Sequence, residues 1–197
     1  MKETKTLADY IDCLSLLESN ASLLYTTIAD KVALPLVRSL FKEIAFDSQK
    51  HSVILKGVSE SISHSKGAQK ECEKKIGESW RMITKLQKEV SKINEINSED
   101  LPELSAKLKI FESIMGEEYY IFVQLKTLDF MVKEINQMYN IDLSSAKSIF
   151  INIISDEDRH REILGTIEQL ITKQEQADNS PILRYQNPDA WNKPLHY

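Results

Sequence analysis

Glycine and proline are scarce in this chain. Each occurs five times in 197 residues, and three of the prolines, Pro181, Pro188 and Pro194, fall near the end. Residues 1–177 therefore contain almost no helix breakers, as a mostly helical chain would. Cysteine is scarcer still. Cys13 and Cys72 lie far apart and form no Cys-x-x-Cys pattern, which excludes a zinc or rubredoxin-type iron site built from this chain's cysteines. No disulfide framework is expected, and both cysteines read as inert thiols. No apolar run approaches the ~18 residues of a membrane span. The opening MKETKTLADY has no apolar core of the kind a signal peptide carries. These two absences predict a cytoplasmic protein with no membrane partner. A long run of one charge sign is also missing. The net charge is −5, and Lys66, Lys70, Lys74 and Lys75 are diluted by Glu71, Glu73 and Glu78. That is a solvated helix face rather than a nucleic-acid footprint.

What remains is ordinary soluble material, 42% apolar and 28% charged, long enough for one domain with a sizeable core. Apolar periodicity predicts a first helix over about 6–33 and a second from Pro35 to about Ser63. The link between them is short, so they should be antiparallel neighbours. Residues from about 67 to 95 form an amphipathic helix of their own, in the place where a bundle needs a long crossover. NSEDLPE signals a further helix start, with Ser98 or Asp100 as caps and Pro102 in the first turn. That third bundle helix should reach about Met138, and a fourth should run from IDLSSAK to about Gln174. The expected architecture is all-α: an antiparallel four-helix bundle over 1–177, with an additional helix in the long crossover. Residues 178–197 contain three prolines among Ile182, Leu183, Tyr185, Trp191, Leu195 and Tyr197. They should form an extended C-terminal arm packed on the bundle or on a partner chain.

Each apolar stripe is interrupted near its middle. The first helix keeps a 4-3-4-3 rhythm through positions 7, 11, 14, 18, 21, 25, 28 and 32, apolar or aromatic except at Glu18. The second runs through 37, 41, 44, 48, 51, 55, 58 and 62, broken by Ser48 and His51. The fourth runs through 146, 150, 153, 157, 160, 164, 167 and 171, broken by Glu157 and His160. In the third helix, Glu112 and Ser105 share a face with Leu108, Met115, Tyr119 and Phe122. In an antiparallel bundle these mid-helix positions meet at one level. Glu18, His51, Glu112, Glu157 and His160 would then lie together in the core. Three buried carboxylates cannot all remain ionised and unpaired. A divalent cation is the natural compensation, and carboxylates with imidazoles suit Fe or Mn, with Zn also possible.

The chain also repeats itself weakly. Glu18 precedes Tyr25 by seven residues, and Glu112 precedes Tyr119 by the same spacing. Asp47-Ser-Gln-Lys-His51 aligns with Asp156-Glu-Asp-Arg-His160, and Leu55 matches Leu164. Over residues 7–172 this pattern resembles the ferritin-like superfamily and, within it, the rubrerythrin-type di-iron proteins. Their ligands are one Glu from each of two helices and a Glu-x-x-His from each of the other two. Glu18 and Glu112 match the single glutamates and Glu157-Asp-Arg-His160 matches one Glu-x-x-His. Ser48-Gln-Lys-His51 keeps the histidine but has serine in place of a bridging glutamate.

The resemblance implies a ferritin-like iron protein that oxidises Fe(II) or reduces peroxide or dioxygen. With one bridge missing, Glu157 alone would bridge, the site would hold a single iron, or Asp47 or Glu43 would rearrange. A degenerate, metal-free site on a partner-binding bundle is the alternative of a different class; a di-iron oxygenase of an organic substrate is a third reading. No rubredoxin-like module is present, so a redox cycle would need an external electron donor. A homodimer is expected, and a storage cage is not, because the crossover helix would alter the outer surface. Tyr25 and Tyr119 read as core aromatics, Trp80 and Trp191 as packing anchors, and His64 and His196 as surface residues. Glu117, Glu118 and Asp158 are expected to face solvent.

Overall fold

The computed structural model describes residues 2–62, 69–124 and 144–179. They form six helices: α1 Lys2–Lys31, α2 Pro35–Ile62, α3 Gln69–Ile76, α4 Glu78–Ser91, α5 Leu101–Gln124 and α6 Ser144–Asn179. The expected continuation of the third bundle helix to Met138 and the C-terminal arm, with Trp191 and His196, lie outside the described residues, as does His64.

The α1–α2 junction follows from local chemistry. Pro35 opens α2, where its missing N–H leaves no helix bond unmade. Arg38 then folds back, and its Nε and Nη2 donate to the Val32 carbonyl at 3.1 and 3.0 Å. That occupies one of the carbonyls a helix end leaves open. Along the α1–α2 seam the contacts run in opposite order on the two helices, so the pair is antiparallel. Ser59 Oγ bonds the Ala8 carbonyl, Lys56 meets Asp12 at 2.5 Å, and Ser15 and Ser52 each donate to the other's carbonyl at 2.9 Å. The small serines let these two helices approach closely.

Contacts between α5 and α6 also run in opposite order: Lys109 meets Glu168 at 2.5 Å, and Arg161 meets Ser113 at 3.2 Å. Tyr25 and Tyr119 of α1 and α5 reach Glu112 and Glu18 crosswise, so α1 and α5 are antiparallel too. Taking the chain in order, the bundle helices therefore run up, down, down, up. The two middle helices are parallel, so a long crossover must join them.

That crossover is not the single helix expected over 67–95. It is two, α3 and α4, broken at Gly77, whose φ of 66° lies in the left-handed region that favours glycine. Its far end is fastened to the end of α1. Lys31 Nζ donates to the Val90 and Ile93 carbonyls at 2.7 and 2.6 Å, and the Ile96 N–H donates to the Lys31 carbonyl at 3.0 Å. Trp80, Ile83, Leu86 and Val90 form the buried side of α4. Asp100 begins α5: its carbonyl accepts the Leu104 N–H at 3.1 Å, while its carboxylate turns back to the Asn97 N–H at 3.0 Å.

The cysteines depart from expectation as well. Cys13 of α1 and Cys72 of α3 are joined as a disulfide, so neither is a free thiol. Their separation along the chain said nothing about pairing. The crossover lays α3 on the outer side of α1 and brings them together. No helix among the described residues is long and apolar enough to cross a membrane.

Candidate metal centre

Each bundle helix delivers its mid-stripe polar residue to the core. Glu18, His51, Glu112, Glu157 and His160 are all 2% exposed or less. Two groups of potential ligand atoms converge, Glu18–His51–Glu157 and Glu112–Glu157–His160, each with its donor atoms within 4.8 Å of one another. Glu157 belongs to both. His51 Nδ1 lies 3.4 Å from Glu18 Oε1 and 3.5 Å from Glu157 Oε1. His160 Nδ1 lies 3.0 Å from Glu112 Oε2 and 3.8 Å from Glu157 Oε2. The two imidazole centroids are 6.1 Å apart. Gly116, one turn beyond Glu112, lies where α5 passes close to Glu157; a Cβ there would stand 3.7 Å from the Glu157 Cβ.

Both histidines present Nδ1 to the carboxylates and Nε2 to an aspartate on the opposite hairpin. His51 Nε2 meets Asp156 Oδ2 at 2.9 Å, and His160 Nε2 faces Asp47 Oδ2 at 3.5 Å. Lys50 and Arg159, at the surface, each pair with both aspartates. A carboxylate behind an imidazole fixes its ring plane and tautomer, an arrangement recurrent behind metal-binding histidines. The glutamates are held crosswise in the same way. The Tyr25 hydroxyl donates to Glu112 Oε1, and the Tyr119 hydroxyl donates to Glu18 Oε1 at 2.6 Å.

Sequence reasoning gave the tyrosines no such role, and treated Asp47 only as a stand-in ligand and Asp156 only as part of the repeat. The signal was nonetheless present. Each aspartate opens its repeat segment four residues before a histidine, and each tyrosine follows its glutamate by seven. Glu43 is exposed and takes no part, and Glu118, expected in solvent, is half-buried and accepts a bond from Tyr10 at 2.8 Å.

Burial and charge set the protonation of this cluster. Burial, then the charges of Glu112 and Glu18, push Glu157 up to about 8. Burial opposes charge on His51, but the Glu157 and Glu18 carboxylates outweigh it and raise its pKa to about 10. His160 rises to about 12 against its own burial, through Asp47, Glu112 and Glu157. Glu112 is held below the usual carboxylate range despite burial, chiefly by His160. Burial and the adjacent carboxylates lift Tyr25 and Tyr119 well above the ordinary phenol value. Imidazolium protons thus provide the positive charge that buried carboxylates require.

A cation in place of those protons would also satisfy atoms that the hydrogen bonds leave over. His51 Nδ1 and Glu157 Oε1 are fully buried and have no hydrogen-bond partner. A buried, unpaired polar atom is costly, and here two of them face each other and Glu18. The donor set of imidazoles and carboxylates suits Fe, Mn or Zn.

Among families of known proteins, the one described as Rubrerythrin matches residues 16–110, a span that carries Glu18, Ser48 and His51 and stops just short of Glu112. No curated protein and no solved structure matches the chain. The up-down-down-up bundle and the match across its first hairpin and crossover are consistent with a ferritin-like protein of the rubrerythrin type.

Proposed function

We propose that Glu18, His51, Glu112, Glu157 and His160 bind divalent metal, iron above all, and that the protein uses it to oxidise Fe(II) or to reduce peroxide or dioxygen. The observation that carries this reading is the pair of unpartnered buried atoms, His51 Nδ1 and Glu157 Oε1. They sit where the two groups of donor atoms share Glu157. Bound iron would supply the redox chemistry, delivering electrons to an O–O bond.

The chain's own residues prepare the place. Asp156 and Asp47 keep both Nδ1 atoms turned inward. Tyr119 and Tyr25 hold one oxygen of Glu18 and of Glu112. Glu157, on a helix turn between the two histidines, serves both positions. His51 and His160 must release their protons to act as ligands, so metal and protons compete for the site. A continuing cycle would draw on an external electron donor.

A second reading has an observation of its own. His160 Nδ1 and Glu112 Oε2 already bond at 3.0 Å, as a metal-free polar cluster that specifies helix register would require. Elemental analysis of protein purified without chelator separates the two. The metal reading requires bound iron or manganese that Glu157→Ala removes. A metal-free wild-type protein that cannot be loaded with Fe(II) would leave the polar-cluster reading in its place.

A further inference from the structure

The two halves of the site are related by the internal repeat, and one position breaks it. Glu157 stands three residues before His160 on α6. The equivalent place before His51 on α2 holds Ser48, which is buried to 2% exposure. Serine ends at its γ oxygen, whereas glutamate carries its charge out to the ε position. The core is therefore short of one carboxylate on the α2 side. The shortfall is one of charge. Two divalent ions bring four positive charges and Glu18, Glu112 and Glu157 offset three, leaving one in a site that is 2% exposed or less. Uncompensated charge in so dry a place is strongly disfavoured.

Among the described residues, no other carboxylate makes up the difference. Glu43 faces solvent. Asp47 and Asp156 are engaged behind the imidazoles with Lys50 and Arg159. His51 Nδ1, left without a hydrogen bond, is taken by the metal on the reading above and, as a neutral donor, adds no charge.

We propose that the metal-loaded site takes up a small carboxylate anion, of the formate or acetate class, beside Ser48 in the place of the absent glutamate. This inference rests on the metal-binding reading above. The anion supplies the fourth negative charge, and the Ser48 hydroxyl can donate a hydrogen bond to it. Metal and anion are then thermodynamically linked: each raises the other's affinity by the same factor.

The test titrates the metal-free protein with Co(II), whose visible absorption reports its ligands, in a non-coordinating buffer with and without acetate. Wild-type protein should bind Co(II) at least ~10-fold more tightly with acetate, within the usual range of such coupling, and its absorption should shift on acetate addition. Ser48→Glu should bind Co(II) without acetate and lose the acetate effect, since its own carboxylate fills the place. Ser48→Ala, which keeps the space and adds no charge, should retain the effect; it serves if Ser48→Glu folds poorly. Co(II) bound equally with and without acetate overturns the anion proposal and leaves the metal reading standing. An acetate effect that persists in Ser48→Glu places the anion elsewhere and also overturns it. Failure to bind Co(II) under any condition removes both readings.

Discussion

The α1–α2 hairpin and the α5–α6 hairpin bring the same kinds of side chain to the core, but only the second is complete. Glu18 and His51 correspond to Glu112 and His160, Asp47 to Asp156, and Tyr25 to Tyr119. Ser48 stands where the second hairpin has Glu157. The consequence is visible in the hydrogen bonding. His160 is bonded through Nδ1 to Glu112 at 3.0 Å and leaves Nε2 unpartnered, whereas His51 is bonded through Nε2 to Asp156 at 2.9 Å and leaves Nδ1, the atom facing the carboxylates, unpartnered. The supporting residues cross over as well. Each hairpin's aspartate backs the other's histidine, and each hairpin's tyrosine holds the other's glutamate. The site is thus a property of the pair of hairpins, and neither would hold it alone.

The largest effect should come from removing the residue both halves share. Glu157→Ala should abolish metal binding at both positions, read by elemental analysis after loading with Fe(II). Unchanged metal content would mean that the halves do not meet at Glu157. A comparable loss, of folding stability rather than metal, is expected on the side that carries the disulfide. Opening Cys13–Cys72 by Cys72→Ser should cost about 2–4 kcal/mol in denaturant unfolding, because a long closed loop is released in the unfolded chain. A variant as stable as the wild type would show that the crossover is held by packing and by Lys31 alone.

Next come the aspartates behind the histidines. Asp156→Ala and Asp47→Ala should each weaken metal binding by roughly 10–100-fold, the range for residues that orient a metal-binding histidine. Asp156→Ala should have the greater effect, since its histidine lies at 2.9 Å and that of Asp47 at 3.5 Å. Equal affinities for all three proteins, by competition against a chelating dye, would remove the orienting role.

Ser48→Glu would make the two hairpins alike. It should raise metal occupancy while lowering the melting temperature of the metal-free protein, since it buries a further carboxylate without a partner. Equal destabilisation with and without Fe(II) or Mn(II) would place position 48 away from the metal.

The same buried groups set the pH dependence of the metal-free protein. His51 and His160, at about 10 and 12, are raised above the 6.5 of a free histidine, so their stabilisation is present below about 6.5 and is lost as pH rises through the folded values. Glu157, raised from 4.5 to about 8, acts in the same direction over its own interval. Denaturant unfolding should therefore show falling stability from pH 6.5 toward 10. Stability that rises across this window would mean the histidines are neutral in the folded state.

Much of this was legible in the chain alone. The 4-3-4-3 rhythm and the want of glycine and proline announced long helices, because a helix buries one stripe per turn whatever its neighbours do. Single polar residues interrupting those stripes marked Glu18, His51, Glu112, Glu157 and His160, since only a core position makes a mid-stripe glutamate conspicuous. Other features depended on distant parts of the chain and left no local periodicity. The Cys13–Cys72 link arises because α3 docks across α1. The break at Gly77 was invisible to periodicity because the apolar pattern of α4 carries on in nearly the same phase. The crosswise aspartate and tyrosine contacts also required the helices to be placed. Pattern in sequence determined which face of each helix is buried, through the hydrophobic effect acting one turn at a time. Only tertiary packing decided which buried polar groups meet, because hydrogen bonds and charge compensation depend on distances across the bundle that no single helix encodes.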